Sequence, residues 1–232
     1  MAAVIEEDPT LNENAQALMR QLLLVWLEFE RRLGRIPIVH RLEQGNFAID
    51  DYRTLLYNIR AQVVEGARWI TRAASSFTSD YAELRSTVIG HAYDEHRDYE
   101  LLESDYVAVG GTLEDIRRAP RNVGTEALAA FLMHQASLPN PVDLLGAMFI
   151  IEGLGNRMAN SWAARIQEAL GVGADATRFL SYHGKNDTVH LQKLHAIVNS
   201  DAVSEESIPR IVKTAKVVAR LYALQLEELN NV

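Results

Sequence analysis

Two distant stretches of this chain repeat one spacing of metal-ligand side chains. His183, Asp187 and His190 stand at i, i+4 and i+7, and so do His91, Glu95 and Asp98. At about 100° per residue of α-helix, each triplet falls within an arc of roughly 60°, so its imidazoles and carboxylates point the same way. One such triplet occurs by chance; two matched triplets on different helices are far rarer. The spacing therefore asks for a helical bundle in which two polar stripes meet. Imidazole with carboxylate suits iron, manganese or zinc, and several Asp and Glu beside His suit a carboxylate-bridged iron or manganese pair better than a structural zinc.

The rest of the chain is consistent with this. No stretch alternates apolar and polar residues or gathers β-branched residues between turn signals, so the fold class is all-α. Hydrophobic residues make up 48% of 232, enough for a substantial core, and no linker-like tract divides the chain. The expectation is a single domain over 1–232, residues 1–11 forming a flexible tail, built as a seven-helix or eight-helix bundle.

Helix signals place the elements. Asn12 or Asn14 caps a first helix to Gly34, and its run Leu22-Leu23-Leu24-Val25-Trp26-Leu27 predicts burial on nearly all sides. His40 to Phe47 reads as a turn into a helix from Asp50 or Asp51 to Ala74. A third helix runs unbroken from Ser79 or Asp80 to Val107 and stops at Gly110-Gly111. Short and medium helices follow at 113–118 and 124–136. A long helix then spans Val142 to Leu170, where Gly146, Gly153 and Gly155 predict a bend or a close approach by another backbone. Thr177 to Val198 carries the His183 triplet, and Ser204 or Glu205 opens a last helix to Leu229. Gly184 and Asn186 are poor helix formers inside the triplet, so an unwound turn between Thr177 and Asp187 is expected wherever metal does not order it.

Composition removes several functions. A formal net charge of -8 has the wrong sign for nucleic acid or an anionic membrane. The absence of cysteine excludes disulfides, thiolate metal sites and a cysteine nucleophile together. The N-terminus is acidic where a signal peptide is basic, and no apolar run approaches 18 residues, so the expected location is cytoplasmic.

Further polar groups stand on apolar helices. Glu152 lies in Met148-Phe149-Ile150-Ile151-Glu152-Gly153, and a buried carboxylate there costs several kcal/mol to keep ionised without a cation. Asn156 and Asn160 are one and two turns on, and Arg157 is a candidate holder of a substrate carboxylate. Asp94, His96, Arg97 and Glu100 point away from the triplet and read as solvated. A π-bulge at Glu95-His96 would bring His96 in. Tyr93, Tyr99 and Tyr182 read as core residues.

These residues carry a resemblance. His40 to Leu56 resembles the opening of the second helix in the heme-oxygenase-like superfamily, and Glu95-His-Arg-Asp98-Tyr-Glu-Leu-Leu resembles its Glu-x-x-His helix. Ile151-Glu152-Gly153 is similar to the usual Glu-Gly of the next core helix. His183-x-x-x-Asp187-x-x-His190 resembles the final ligand motif of the diiron oxidases and oxygenases in that superfamily, which also holds the TenA thiaminases, the PqqC oxidase and heme oxygenase. The similarity runs from about residue 36 to 192. One departure stands out: the family usually has histidine where this chain has Asp98, and here a histidine sits one turn before Glu95, at His91.

The resemblance implies a heme-oxygenase-like bundle holding two iron ions, or manganese, and no heme. Its metal ligands would be His91, Glu95, Asp98, Glu152, His183, Asp187 and His190, with Glu152 and Asp187 as catalytic residues and Asn156 and Arg157 as substrate contacts. The implied function is an oxidase or oxygenase that activates O2 against a small, amino-acid-like or fatty-acid-like substrate, with no nucleic-acid or membrane partner; a homodimer is compatible with it. TenA-type thiamine hydrolysis relies on a cysteine that is absent. Heme oxygenase relies on a first-helix histidine, and none occurs between Asn12 and Gly34. The alternative is a non-catalytic helical binding protein with a degenerate metal site, for which Asp98 is the best support.

Overall fold

The computed structural model describes residues 10–229. Residues 1–9, and with them most of the expected tail, lie outside the described residues, as do 230–232. Among the described residues the structure is helical throughout, without a strand.

The elements are α1 (Glu13–Leu33), α2 (Pro37–Glu43), α3 (Ile49–Ser76), α4 (Ala82–Glu95), α5 (Tyr99–Ala108), α6 (Leu113–Arg118), α7 (Val123–Ala136), α8 (Leu145–Leu154), α9 (Asn160–Leu170), α10 (Arg178–Val198) and α11 (Ile208–Glu227). With α2 and α6 as short connectors, the long rods are α1, α3, α4 with α5, α7, α8 with α9, α10 and α11. These are the seven of the expected bundle.

Side-chain caps set several starts. Asn12 accepts the Ala15 N–H at 2.9 Å to begin α1, and Asn122 accepts the Thr125 N–H at 2.8 Å to begin α7, each satisfying a donor that the helix itself leaves free. Trp26, Leu18 and Leu22 of α1 enter the core without exposed surface. The expected all-round burial of α1 fails, because Leu24 and Leu27 are 62% and 54% exposed. Only the stripe at helical spacing meets α8 and α11; a rod at the bundle's edge keeps one apolar flank in water.

Three further expectations are corrected. The turn read from His40 begins only at Gln44, because Pro37, with its φ already fixed, starts the short helix α2. The last helix opens at Ile208, after turns that use the Ser204 and Ser207 groups. The third helix is not continuous: α4 ends at Glu95, and α5 begins at Tyr99 with Asp98 as its cap position. Between them Asp98 N–H bonds the Glu95 carbonyl at 3.3 Å, and Leu101 N–H bonds the Asp98 carbonyl at 3.1 Å. Such i to i+3 bonding tightens the chain to about three residues per turn, which stacks residue i+3 directly beyond residue i.

The glycine-bearing rod does bend. Gly155–Ala159 forms a π-helical segment between α8 and α9. Gly155 opens that segment because α10 approaches it: a Cβ at this position would collide with the Asp187 carboxylate. The π-turn thus sits at Gly155, not at Glu95-His96 where a bulge was considered. It packs against α10 and brings that helix alongside α8.

Candidate metal centre

Three rods carry the seven candidate ligands. α4 and the turn after it bear His91, Glu95 and Asp98; α8 bears Glu152; α10 bears His183, Asp187 and His190. All seven are gathered into one cluster, and six of them are buried; Glu95 is half-buried.

Around Glu152, His190 Nδ1 lies 3.0 Å from Oε2 and His91 Nε2 lies 3.4 Å from Oε1. His190 Nδ1 is also 3.5 Å from Glu95 Oε1. The rings of His91 and His190 meet edge to face, 4.4 Å between centroids. His91, Glu95, Glu152 and His190 each offer a ligand atom within 4.8 Å of the others. A second group, Glu95, Asp98 and His183, satisfies the same limit. His183 Nε2 faces Asp98 Oδ2 at 3.2 Å, and its Nδ1 lies 3.0 Å from Asp187 Oδ1. Asp187 Oδ1 is in turn 3.9 Å from His190 Nδ1. Glu95 belongs to both groups. The tight turn after it explains the division, since Asp98 is carried past the His91 group to meet His183 instead.

The donor set fits a cation on an observation independent of the motif. Glu95 Oε1, Asp98 Oδ2 and His183 Nε2 are buried without a hydrogen-bond partner. Buried polar atoms are nearly always paired, and an orphan costs about 1 to 3 kcal/mol. Three orphans, all in the second group, mark a place where a metal would satisfy lone pairs that the protein leaves free.

The protonation pattern agrees. Burial alone would raise Glu152, but hydrogen bonds from His190 and His91 pull its carboxyl down to about 2. Glu95 receives no such donor, and burial together with the Glu152 charge pushes it up to about 8. Asp187 is pushed up to about 6 by burial, against the hydrogen bond from His183. Burial would lower His183, yet Asp187 and Asp98 on either side raise it to about 10. The charge needed between these carboxylates is carried by an imidazolium proton when no metal is there.

Two cavities meet at this cluster. One, about 780 Å³ of empty space counted out to its mouth, is walled by Trp69, Phe179, Trp162 and Tyr222 and reaches Glu95, Glu152, His183 and Asp187. The other, about 580 Å³, is lined almost wholly by apolar side chains, among them Phe77, Leu84, Leu145 and Met148, and reaches His91 and His190. Trp69, Ile70 and His91 stand between the two.

The substrate contacts read from sequence are elsewhere. Arg157 is exposed and lies over the Trp26 ring at 4.9 Å, and Asn156 Nδ2 donates to Thr188 Oγ1 at 2.7 Å. Neither lines either cavity: the π-segment turns both away from α8's inward face. Asn160 Nδ2 donates to the Gly184 carbonyl at 2.9 Å, where a Cβ at Gly184 would not fit. Tyr93 is on the surface, not in the core, stacked on the exposed His96. Asp94, read as solvated, is half-exposed yet lies 3.7 Å from His190 Nε2 and 3.2 Å from Lys193 Nζ. Its place at the last turn of α4, beside Glu95, was the available signal.

The expected unwound turn is also absent, since α10 is helical from Arg178 through all three ligands. Its weak formers are braced from outside by Asn160 and Asn156, and the backbone N–H groups of Arg178 and Phe179 are taken by Asp105. Tertiary hydrogen bonds replace what propensity lacks.

His183→Ala and His190→Ala are expected to weaken metal binding at least about tenfold, the lower range even for changes around a ligand shell. His96→Ala, remote on the surface, leaves it unchanged. Titration of the three purified variants with Mn(II) checks this, and a His96 variant as defective as the others would move the ligand assignment on α4.

The rods and the cluster together define a class: a heme-oxygenase-like helical bundle with a carboxylate and histidine cluster in its core. Residues 54–223 match the iron-containing redox enzyme family, and the chain belongs to that family. A domain of unknown function with a heme oxygenase-like fold from Shewanella denitrificans superposes with a TM-score of 0.85 at 19% identity, over 91% of each chain. A TenA homolog from Pseudomonas syringae pv. tomato gives 0.75 at 15% identity, over 98% of this chain and 99% of that one. The TenA homologue of P. horikoshii gives 0.71 at 15%, over 93% and 97%. At these identities the likeness is one of fold. No curated protein matches the chain in sequence. Among the described residues no helix is long and apolar enough to cross a membrane.

Proposed function

We propose that this protein is a non-heme diiron, or manganese and iron, oxidase or oxygenase that activates O2 against a small organic substrate. The observation that carries the reading is the buried cluster with two ligand groups sharing Glu95 and three unpartnered polar atoms. His91, Glu95, Glu152 and His190 would hold one ion; Glu95, Asp98 and His183 would hold the other, with Asp187 between His183 and His190. When bound, the two ions supply the redox chemistry that reduces O2.

The protein's own contribution is charge placement, orientation and exclusion of water. Glu152 is kept ionised by two imidazoles, and Asp187 Oδ1 accepts the His183 Nδ1–H, which holds that ring with Nε2 toward Asp98. The apolar cavity ending at His91 and His190 favours a fatty-acid-like chain over an amino acid. An amino acid's charges would be desolvated there, and Lys193, the ammonium on that wall, is already paired with Asp94.

The test is metal content and oxygen uptake. Anaerobic loading with Fe(II) is expected to give two ions per chain, and reductant with air then gives O2 consumption. A chain that retains no iron or manganese after loading is the non-catalytic binding protein instead.

A further inference from the structure

Asp105 has no exposed surface and belongs to neither ligand group. Its Oδ1 accepts the backbone N–H of Arg178 at 2.9 Å, and its Oδ2 accepts that of Phe179 at 3.0 Å. These are the first two residues of α10. Thr177, at the cap position, makes no side-chain cap; its hydroxyl accepts from Gln167 Nε2 at 2.6 Å. The helix that bears His183, Asp187 and His190 is therefore capped by another helix, α5. That same helix starts at Asp98, which faces His183. Asp98 and Asp105 are seven residues apart and share a face of α5, so α5 grips α10 at two points.

We propose that Asp105 is a positioning residue of the metal centre: it docks the first turn of α10 against α5 and thereby sets His183 opposite Asp98. The inference rests on the two-metal reading above. A carboxylate is the group for this task because α10 presents two free N–H groups and the positive end of its dipole. Packing alone would be served better by an apolar side chain, since burial pushes the Asp105 carboxyl up to about 6 against the pull of the Phe179 and Arg178 amides; Arg178 lowers it further and Asp175 raises it. The neighbouring bonds do not do the same work. Tyr52 OH donates to the Ala176 carbonyl at 2.6 Å, and Arg178 Nη1 donates to Ser104 Oγ at 2.9 Å, so neither satisfies an α10 amide.

The test uses Asp105→Asn, nearly isosteric, with Asp105→Ala as the second variant where the amide prevents folding. Tyr52→Phe is the control for general loosening of this corner. Hydrogen exchange of the metal-free protein is expected to quicken at least about tenfold over residues 178–184 in the Asp105 variants, and to stay unchanged in α3 and α11. Titration with Mn(II) is expected to show one of two ions weakened at least about tenfold and the other unchanged. Tyr52→Phe keeps both ions. Normal exchange over 178–184, or faster exchange with both ions bound as in the wild type, overturns the proposal. So does equal acceleration in every helix with both ions weakened together, which is a stability effect only. If the wild type itself binds no Mn(II), the two-metal reading falls separately. The Asp98 to His183 separation in a crystal structure of the variant then decides: widened supports docking by Asp105, unchanged refutes it.

Discussion

Glu152→Ala abolishes O2 consumption and weakens metal binding at least about 100-fold, the upper range for changes in a ligand's surroundings, while the metal-free variant still folds cooperatively. The expected loss of stability is about 1 to 3 kcal/mol, because the substitution removes the acceptor of His190 and the partner of His91 from a buried site. Sequence alone suggested neutrality or a gain; the paired geometry turns that into a modest loss. The sign against pH follows from the direction of the shift. Glu152 is depressed to about 2, so its contribution is present above its ordinary value and is lost only as pH falls through about 2. The deficit of the variant is therefore constant across neutral pH. Thermal unfolding with and without Mn(II) checks both parts: a variant that fails to fold cooperatively in either condition would make Glu152 a structural ion-pair member.

Metal affinity rises steeply with pH. In the metal-free protein His183 keeps its proton to about 10 and Glu95 to about 8, and both must give it up to bind a cation. Each released proton is worth about tenfold per pH unit, so the affinity gains about 100-fold per unit below 8 and about tenfold per unit above it. Both groups have raised values in the folded chain. The stability they lend the metal-free fold is full below their ordinary values and is lost as pH rises through about 8 for Glu95 and about 10 for His183. The metal-free protein thus weakens in the range where metal binds best, and the rise in melting temperature on adding Mn(II) grows with pH. Chelator-competition titrations from pH 6 to 8 measure the slope, and an affinity independent of pH would mean that these two groups are not ligands.

Much of the centre was legible because ligand spacing is a property of one helix at a time. The arc shared by His183, Asp187 and His190 follows from the helical repeat, and α10 delivers all three to one place. Glu152 stood out because a carboxylate amid Phe149, Ile150 and Ile151 has no cheap way to be buried alone. Arg157 failed for the opposite reason: its direction depends on the π-turn at Gly155, which rotates everything after Glu152. His91, Glu95 and Asp98 were found as a set but not as the arrangement they make, because a tight turn at 96–98 separates their roles.

By itself the sequence determined the helical class, the approximate rods, the seven ligand-type residues and the absence of thiol chemistry, all of which rest on composition and local periodicity. The tertiary structure alone decided that Glu95 is shared between two groups, that two cavities meet at His91, and that α10 is held at its first turn by Asp105. Each of those depends on which backbones approach each other, and a close approach is made by residues far apart in the chain, whose pairing no local spacing records.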